Sequence, residues 1–553
     1  MHDVSLVNSQ LPQDALPGRV HLPDRSAQRA LGYPCRLNVC QELVDRHIRL
    51  GFGGEPAIRS TDGRMWTYND LADQVSRMGG ALRARGIRPG DRILLLLPNV
   101  AEFIIAWLAI LRVGAVVVAA NPLYRRRELK TILAEINPAC VVSTQQLWLD
   151  EYSAWVPDET LVILVGEEGS SGATFNWLLK CAAPCAAAPT SPEDYAVIAY
   201  TSGSTGSPKG TCHTHGDILA IADTYAATVL QPARGDRCFC HSSMAFTYAV
   251  GGLLVFPLRF GACAVLEAEK FDADAFLDVV RRERVTILFS TPTACRMYLG
   301  RPACTDPRTW ETVRLVVSAG EHLPGTVTEK WRLATGREIL DGCGSTELLH
   351  IWISQRSGAV VPGCTGTPVH LYQAILLDED GQLIEQTNAV GRLAVRGPTG
   401  CRYWKREGMQ ARTLWRGFTV TGDRFRRDAN GYWHICRTDD LIVCGGYNIA
   451  PAEIEETLLN HPAVSDAAVV GIPDETRGEI PCAFIVSGTP TKRGERLELV
   501  LTRYLRDQLA VYKCPREFVV LDALPRTATG KFDRKALRAL AATERTVQCP
   551  IKG

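Results

Sequence analysis

One loop near the middle of the chain gathers hydroxyl groups, glycines and a lysine: Tyr200-Thr-Ser-Gly-Ser-Thr-Gly-Ser-Pro-Lys-Gly210. Its glycines permit positive φ and let backbone N–H groups approach an anion, the hydroxyls donate hydrogen bonds, and the lysine adds a charge. A flexible Gly/Ser linker would not need the apolar strand predicted over Tyr195–Tyr200. The pattern therefore predicts a polyphosphate cradle built by Thr201, Ser202, Gly203, Ser204, Thr205, Gly206 and Lys209.

This loop differs from a Walker loop, which ends in Gly-Lys-Ser or Gly-Lys-Thr. Here Pro208 precedes Lys209 and Gly210 follows it. The sequence therefore disfavours a kinase or a P-loop ATPase.

Three more segments carry groups suited to a nucleotide. Asp341-Gly-Cys-Gly-Ser-Thr-Glu347 offers glycines against which a flat ring can lie, and it ends in a carboxylate, the ligand type that Mg²⁺ takes. Thr421-Gly-Asp423 offers a carboxylate that can accept two hydrogen bonds, and Pro525-Arg-Thr-Ala-Thr-Gly-Lys531 ends in a lysine. Taken singly, each has an ordinary alternative: a helix cap, a turn and a solvated lysine.

Short apolar segments alternate with helical patterns up to about Val420. Strands are predicted over Arg92–Leu97, Ala115–Ala120, Leu161–Val165, Thr286–Phe289 and Arg314–Val317, and a helix over Glu102–Arg112. This alternation implies crossover connections and mostly parallel sheets with flanking helices. The Pro/Ala/Ser-rich stretch Cys181–Pro192 is expected to be an exposed connection between subdomains.

The pattern changes after Val420. Thr421–Ile442 is rich in charge, glycine and aromatic residues, which predicts tight hairpins and a β-subdomain. Amphipathic helices over Ala452–Leu459 and Leu497–Leu509 then predict a compact α+β unit. We place the boundary near Asp439. The expected fold is a large α/β N-terminal domain, 1–438, followed by a small mobile α+β domain, 439–553.

Composition narrows the class of protein. With 46% hydrophobic and 22% charged residues and a net charge of +1, the chain is typical of a globular protein with no strong field for nucleic acid or an anionic membrane. The odd number of cysteines, 19, with no Cys-x-x-Cys pair, argues against a disulfide framework or a zinc ribbon. The start of the chain does not look like a secretory signal, and we expect a cytoplasmic protein.

Taken in order, these segments resemble the signatures of the adenylate-forming superfamily, which includes acyl-CoA synthetases, peptide-synthetase adenylation domains and firefly-type luciferases. The resemblance covers roughly residues 40 to 540. It implies that Lys531, the catalytic lysine, bridges the acid's carboxylate and the α-phosphate of ATP, that Thr346 hydrogen-bonds that phosphate, and that Glu347 holds Mg²⁺. Further nucleotide contacts are implied for Gly320, Glu321, Asp341, Gly342, Cys343, Gly344, Ser345, Asp423 and Arg437.

The resemblance also implies a moving C-terminal domain. Asp439 would be its pivot, and Gly445 and Gly446 would line the approach of the thiol after the domain turns. Cys436, Cys444 and Asn448 depart from the family's usual residues, which affects the detail of thiol positioning.

The substrate is suggested by Ser345-Thr-Glu-Leu-Leu-His-Ile351, which looks most like the benzoate and 2-aminobenzoate CoA ligases. Ala245-Phe-Thr-Tyr-Ala-Val-Gly-Gly252 also resembles their pocket segment. Apolar and aromatic walls suit a flat ring. The acyl pocket is therefore predicted to include Phe246, Tyr248, Gly251, Ala319, His350 and Ile351; the less favoured alternatives are that the Phe246/Tyr248 segment is core helix and that His350 is a structural histidine.

The expected activity is an ATP-dependent aryl acid:CoA ligase that needs Mg²⁺ and forms an aryl-adenylate before the thioester. One alternative is a stand-alone enzyme that loads a carrier protein's phosphopantetheine arm, because the same motifs serve both. A nucleotide-binding protein without catalysis is a further alternative, which the intact Lys531, Glu347 and Asp423 disfavour. A homodimer is possible, and no nucleic-acid or membrane partner is expected.

Overall fold

The fold is described from a computed structural model. It describes residues 5–12, 15, 18, 21–124, 126–149, 153, 156, 160–166, 173–201, 208–444, 447–474, 477–488, 496–527 and 531–548. The cradle residues 202–206 and the thiol-loop glycines 445 and 446 lie outside this set.

A mostly parallel sheet carries the phosphate-loop strands. Its seven strands, in spatial order, are Ala173–Thr174, Leu161–Val165, Cys140–Thr144, Arg92–Leu96, Val116–Ala119, Tyr195–Thr201 and Lys209–Thr214. Only the last pair among these described strands is antiparallel. Its central strands, Arg92–Leu96 and Val116–Ala119, are nearly continuous runs of buried Leu and Val, as expected when helices cover both faces of a parallel sheet.

A second, larger sheet carries the other nucleotide segments. Its nine strands, in spatial order, are Thr367–Pro368, Ile351–Ser354, Ile339–Gly344, Leu315–Ala319, Ile287–Ser290, Arg237–Cys240, Cys263–Leu266, Pro56–Ser60 and Met65–Thr67. The central strands run parallel and the edge pairs antiparallel. Neighbouring parallel strands bring Ser318 level with Asp341, so two predicted nucleotide segments emerge at the same edge.

Helices pack on these sheets and several begin at defined caps. Thr67 with Asp70, and Thr214 with Asp217, form capping boxes at two helix starts. The α-helices before the C-terminal unit are Arg46–Arg49, Tyr68–Ala84, Ala101–Arg112, Arg126–Ile136, Gln145–Leu147, Phe175–Cys181, His215–Ile221, Thr247–Val250, Phe256–Phe260, Ala273–Arg282, Pro292–Leu299, Gly325–Thr335 and Glu407–Arg412.

Wider and tighter helical turns extend or link these helices. The π-helical segments are Gln41–Asp45, Ala222–Leu230 and Gly251–Val255. The 3₁₀ turns are Asn8–Gln10, Ser26–Leu31, Pro302–Thr305, Pro307–Thr309, Thr346–Leu348, Thr438–Asp440 and Val511–Lys513.

A β-subdomain follows the nine-stranded sheet. Its spatial order is Gln373–Leu377, Val390–Arg396, Phe418–Asp428 and Leu414–Trp415, and Gly431–Arg437 pairs with Phe418–Asp428 as a long antiparallel hairpin. The hairpin expected after Val420 is therefore present.

The C-terminal unit has its own sheet and its own apolar core. The sheet order is Tyr447–Ile449, Ile442–Cys444, Gly478–Ser487 and Val464–Asp474, and Glu517–Val520 pairs with Gly478–Ser487. Its α-helices are Pro451–Leu459, Leu497–Gln508 and Arg534–Gln548. The turn Thr438–Asp440 precedes this unit, and the exact boundary at Asp439 stays a prediction.

Three further predictions meet the structure here. The stretch Cys181–Pro192 is an irregular connection, but it is not wholly exposed: Ala188 and Thr190 are buried, because their backbones hydrogen-bond to Arg112 and Leu37 of the N-terminal domain. The cysteines of the described residues are all free and most are buried, as expected of small core residues. Among the described helices, none is both long and apolar enough to cross a membrane.

Candidate active site

A cleft of about 1530 Å³ is lined by residues of the nine-stranded sheet, the β-subdomain and the C-terminal unit. Most of the residues singled out in the sequence meet there: Lys209, Phe246, Tyr248, Ala319, Gly320, Glu321, Asp341, Gly342, Cys343, Gly344, Ser345, Thr346, Glu347, His350, Ile351, Asp423, Arg437, Asp439 and Lys531. Positions more than 300 residues apart in the chain therefore share one cavity.

Some predicted positions lie elsewhere. Gly251 does not line the cleft; it packs behind the wall, where a Cβ would stand 2.3 Å from Cδ2 of His350. The side chain of Thr201, the loop residues 202–206 and the glycines 445 and 446 fall outside the described residues. Their assigned roles stay predictions.

The phosphate loop is the tip of an antiparallel hairpin. Thr201 pairs with Lys209 at the end of this hairpin, and Lys209 lines the cleft. Gly210 is required by close packing: a Cβ there would lie 2.9 Å from Cγ2 of Ile198, and its carbonyl accepts a hydrogen bond from Trp404 N at 2.8 Å. The β-subdomain side of the cleft is thus tied directly to the phosphate hairpin.

Two contacts hold the Asp341–Glu347 segment beside that hairpin. Glu347 Oε1 accepts a hydrogen bond from the hydroxyl of Tyr403 at 3.0 Å. The carbonyl of Thr346 accepts one from His213 Nε2 at 2.8 Å. Burial lowers the pKa of His213 to about 4, so this histidine is a neutral structural donor at pH 7. Tyr403 in turn limits where the carboxylate of Glu347 can point.

Asp423 faces three cationic or ionisable groups. Its Oδ1 lies 3.7 Å from Arg437 Nε and 3.7 Å from His434 Nε2. Burial raises the pKa of Asp423, but the neighbouring His434 and the charges of Arg437 and Lys531 outweigh it and hold the pKa below its ordinary value. An ionised carboxylate of this kind can accept hydrogen bonds from a pair of vicinal hydroxyls.

Lys531 reaches into the cleft from the C-terminal unit. It lies beside Gly320, where a Cβ would stand 3.9 Å from Lys531 Cε, and it interacts electrostatically with Glu321 and Asp423. Its side chain remains exposed to the solvent of the cleft, yet protein surrounds it closely enough that desolvation lowers the pKa of its ammonium group. Arg437 lowers that pKa further, while Glu321 and Asp423 oppose the shift.

A chain of polar contacts docks the lysine loop. Arg526 Nη1 donates to Thr293 Oγ1 at 2.8 Å, and Thr293 Oγ1 donates to Glu321 Oε2 at 2.7 Å. Arg526 also pairs with Asp466 at 2.6 Å, and Phe532 packs under its guanidinium with 4.7 Å between the guanidinium carbon and the ring centroid. The loop that carries Lys531 is thereby tied to the nucleotide turn of the N-terminal domain.

The wall of the predicted acyl pocket is aromatic and is held by hydrogen bonds to the backbone. The hydroxyl of Tyr248 donates to the carbonyls of Ser290 and Val317 at 2.9 and 3.2 Å, and its ring stacks on His350 with centroids 5.6 Å apart. His350 Nε2 donates to the carbonyl of Tyr248 at 3.2 Å, and burial lowers the pKa of His350 to about 3. Because these hydrogen bonds fix both rings to the backbone and His350 is neutral, the stacked pair offers a flat neutral wall.

Polar atoms without partners show where a ligand fits. Among the described residues that line the cleft, the buried polar atoms that make no hydrogen bond within the protein include Glu321 Oε1, Asp341 Oδ1 and Ser345 Oγ, together with Nδ1 of His241, His350 and His434. A buried polar atom without a hydrogen-bond partner destabilises the fold unless a ligand or water supplies the partner. Desolvation raises the pKa of Asp341 to about 8, which keeps this carboxyl protonated and able to donate at pH 7. These donors and acceptors suit a polar, flat nucleotide.

Several cleft residues were not predicted. Arg526 lies inside the lysine motif, and His322 ends the motif that contains Gly320 and Glu321, so both could have been noticed there. Thr293, Tyr403 and His434, by contrast, carry no local signal. The rings of His322 and His434 stack with their centroids 5.6 Å apart, although the two residues are 112 positions apart in the chain. At the predicted pivot, the side chain of Asp440 rather than Asp439 pairs with arginine, at 3.4 Å from Arg534.

Comparison with known proteins agrees with this geometry. The model of the AMP-binding enzyme family matches residues 48–404, and that of the AMP-binding enzyme C-terminal domain matches residues 453–531. The benzoate–CoA ligase of Thauera aromatica is 36% identical over 516 residues, which are 92% of this chain and 97% of the relative.

Two solved structures are also similar. The anthranilate CoA ligase AuaEII in complex with anthranoyl-AMP superposes with a TM-score of 0.86 at 31% identity, covering 94% of this chain and 99% of that one. A benzoate CoA ligase from Burkholderia xenovorans LB400 gives 0.84 at 34% identity, covering 91% and 100%.

These matches confirm the predicted resemblance, the two-part α/β fold, and an enzyme of the acid–thiol ligase class. They cover both the large domain and the part that carries Lys531. By its family models, its fold and its relatives, the chain belongs to the AMP-binding enzyme family.

Proposed function

We propose that this protein is an ATP-dependent ligase that joins a small aromatic carboxylic acid to the thiol of coenzyme A through an aryl-adenylate. The observation that carries the proposal is the position of Lys531. It enters from the C-terminal unit and lies beside Gly320, in the same cleft as Asp423, Arg437 and Lys209. One cavity thus combines a lysine, a carboxylate and the end of a phosphate hairpin.

In the first half-reaction, a carboxylate oxygen of the aryl acid attacks the α-phosphorus of ATP, the bond to the leaving oxygen breaks, and pyrophosphate departs. No covalent protein nucleophile is required, because positioning and charge stabilisation supply the rate. Lys531 and Arg437 provide positive charge where negative charge builds up. Asp423, kept ionised by His434 and Arg437, is suited to hold the ribose hydroxyls.

Glu347 is the residue assigned to Mg²⁺. Its carboxylate lines the cleft, and Tyr403 engages only one of its oxygens. Carboxylate oxygens are the ligands that this hard cation takes, and when bound it would offset part of the triphosphate's charge. Thr346, next to Glu347 in the same turn, is the residue assigned to the α-phosphate.

In the second half-reaction, the CoA thiol attacks the carbonyl carbon of the aryl-adenylate, AMP leaves with the bonding electrons, and the thiol proton passes to solvent. We assign to this step a turn of the C-terminal domain about Asp439 that withdraws Lys531. The turn Thr438–Asp440 lies between two strands, where a change of backbone angles disturbs neither sheet.

The acid is proposed to be benzoate or a 2-aminobenzoate-like compound. The flat neutral wall of Tyr248 and His350, with Phe246, Ala319 and Ile351 also lining the cleft, suits an aromatic ring. The printed names of the similar proteins, benzoate–CoA and anthranilate CoA ligases, support the same class. A cytoplasmic location and a homodimer stay predictions.

The test is a pyrophosphate-release screen with ATP and Mg²⁺ over benzoate, 2-aminobenzoate, hydroxybenzoates, cinnamates and short fatty acids. Free CoA and a panel of carrier proteins are compared as thiol acceptors. We expect release with a benzoate-type acid and thioester formation with free CoA. If thioester forms only on a carrier protein, that protein and not CoA is the thiol acceptor. Pyrophosphate release at background with every aromatic acid would refute the proposed ligase activity.

A further inference from the structure

The two domains meet at a second place, away from the lysine loop. Glu456 lies on the first helix of the C-terminal unit, Pro451–Leu459, and its Oε1 accepts a hydrogen bond from the backbone N–H of Gly325 at 3.1 Å. The N–H of Thr326 also interacts with the same carboxylate and lowers its pKa. Both donors belong to the first turn of the helix Gly325–Thr335 in the N-terminal domain.

That helix has no cap of its own. Its N-cap position is Pro324, which makes no side-chain hydrogen bond to the helix. The first N–H groups of a helix have no partner within it and are normally satisfied by a side-chain oxygen. Glu456 supplies this oxygen from another domain, so the cap exists only while the two domains keep this arrangement.

The capped helix continues the nucleotide turn directly. Gly325 follows the turn residues Gly320 and Glu321 by a few positions, and Lys531 lies beside Gly320 in the same arrangement. A rotation that withdraws Lys531 must also pull Glu456 from the helix, because both belong to the C-terminal unit. The cap and the lysine are therefore released together.

We propose that Glu456 is a positioning residue for the first half-reaction: by capping the helix Gly325–Thr335 from the C-terminal domain, it favours the arrangement in which Lys531 lies at the nucleotide turn. The inference rests on the proposed adenylation function. It assigns a role to a position outside the motifs that predicted the site.

The contact depends on an acceptor oxygen more than on net charge. Burial raises the pKa of Glu456, the hydrogen bonds from Gly325 and Thr326 oppose that shift, and Glu329 and Glu453 add to it. A glutamine keeps an acceptor oxygen at this place without the cost of desolvating a charge. Glu456→Gln should therefore preserve the contact, whereas Glu456→Ala removes it.

The experiment compares the two half-reactions in the full-length protein. ATP–pyrophosphate exchange reports the first, and CoA thioester formation from supplied aryl-adenylate reports the second. Loss of a helix cap is expected to change the domain equilibrium roughly fivefold. Glu456→Ala should slow exchange by about that factor without slowing thioester formation, and Glu456→Gln should restore exchange.

Glu329→Ala is the matched control. It removes an exposed carboxylate near the same helix terminus but no cap, and it should not reduce exchange. Amide exchange of Gly325, measured with an aryl-adenylate bound, should be protected in the wild type and in Glu456→Gln and unprotected in Glu456→Ala. If the alanine variant does not fold, Glu456→Ser, whose hydroxyl is too short to reach the donors, takes its place.

Exchange by Glu456→Ala at the wild-type rate would overturn the inference, as would an equal loss of both half-reactions. Wild-type protein that shows no exchange with any aromatic acid would instead refute the proposed function itself. The two failures are therefore distinguishable.

Discussion

Lys531 of the C-terminal unit lies beside Gly320 of the N-terminal domain, close enough that a Cβ on the glycine would stand 3.9 Å from the lysine Cε. Gly320 has φ +94°, a conformation that other residues rarely adopt, and it directly follows the strand Leu315–Ala319. Because glycine has no side chain, the lysine lies directly against the backbone of this residue. The half-reactions provide separate tests of this arrangement.

Replacing Lys531 by alanine should stop the first half-reaction and spare the second. The ammonium group is the charge that the C-terminal unit brings beside Gly320, and losing a preorganised charge of this kind costs about 100-fold or more in rate. ATP–pyrophosphate exchange measures the first step, and thioester formation from supplied aryl-adenylate the second. Loss of both steps in a folded variant would contradict the role given to the lysine.

Gly320→Ala should impair adenylation beyond its effect on stability. An alanine at φ +94° is strained by about 1–2 kcal/mol, and its Cβ enters the space beside Lys531. Gly336→Ala is the control, because Gly336 has φ +66° with open space around it and lies at the far end of the following helix. Both variants should melt earlier by thermal unfolding. Only Gly320→Ala should lose ATP–pyrophosphate exchange. Equal exchange rates in the two variants would refute the role of Gly320 in leaving space for Lys531.

Gly251→Ala should alter recognition of the acid rather than of ATP. Its Cβ would stand 2.3 Å from Cδ2 of His350, so the histidine must move and the stacked wall with Tyr248 must change. We expect KM for the aryl acid to rise about tenfold or more, as for a pocket that loses one good contact, with KM for ATP little changed. Gly54→Ala, in open space, is the control. An unchanged KM for the acid would show that His350 does not form part of the acyl pocket.

Tyr403→Phe should weaken adenylation most at low Mg²⁺. It deletes the hydroxyl that donates to Glu347 Oε1 at 3.0 Å and leaves that carboxylate free to turn. Losing a hydrogen bond to a charged group should lower the rate of ATP–pyrophosphate exchange roughly tenfold, and higher Mg²⁺ should partly restore that rate. Tyr33→Phe is the control, since Tyr33 donates to Asp223 at 2.9 Å away from the cleft. A loss independent of Mg²⁺ would contradict the assignment of Glu347.

Asp341→Asn should stabilise the protein, and more so as the pH rises from 5 to 8. Desolvation raises the pKa of Asp341 from 3.8 to about 8, so the folded chain holds a proton that the unfolded chain releases across this window. Stability of the wild type must then fall with rising pH through that group, and asparagine has no proton to lose. The melting-temperature difference between variant and wild type should grow by about 2 °C or more. A constant difference would mean that Asp341 is ionised.

The sequence by itself determined the alternating α/β pattern and the nucleotide segments. Strands such as Leu161–Val165 and the helix that ends at Arg112 appear where their apolar runs predicted them. These features depend on local periodicity and on glycine, proline and charge at short spacing, which the chain displays directly. The order of the motifs was enough to indicate the family.

Tertiary structure alone decided which side chains meet. Thr293 links Arg526 to Glu321, Tyr403 reaches Glu347, and Glu456 caps a helix of the other domain. None of these pairs is marked by composition or spacing, because contacts between residues tens to hundreds of positions apart depend on how sheets and domains pack. Gly251 is another example: its motif predicted a position in the acyl pocket, but in the folded chain it packs behind His350.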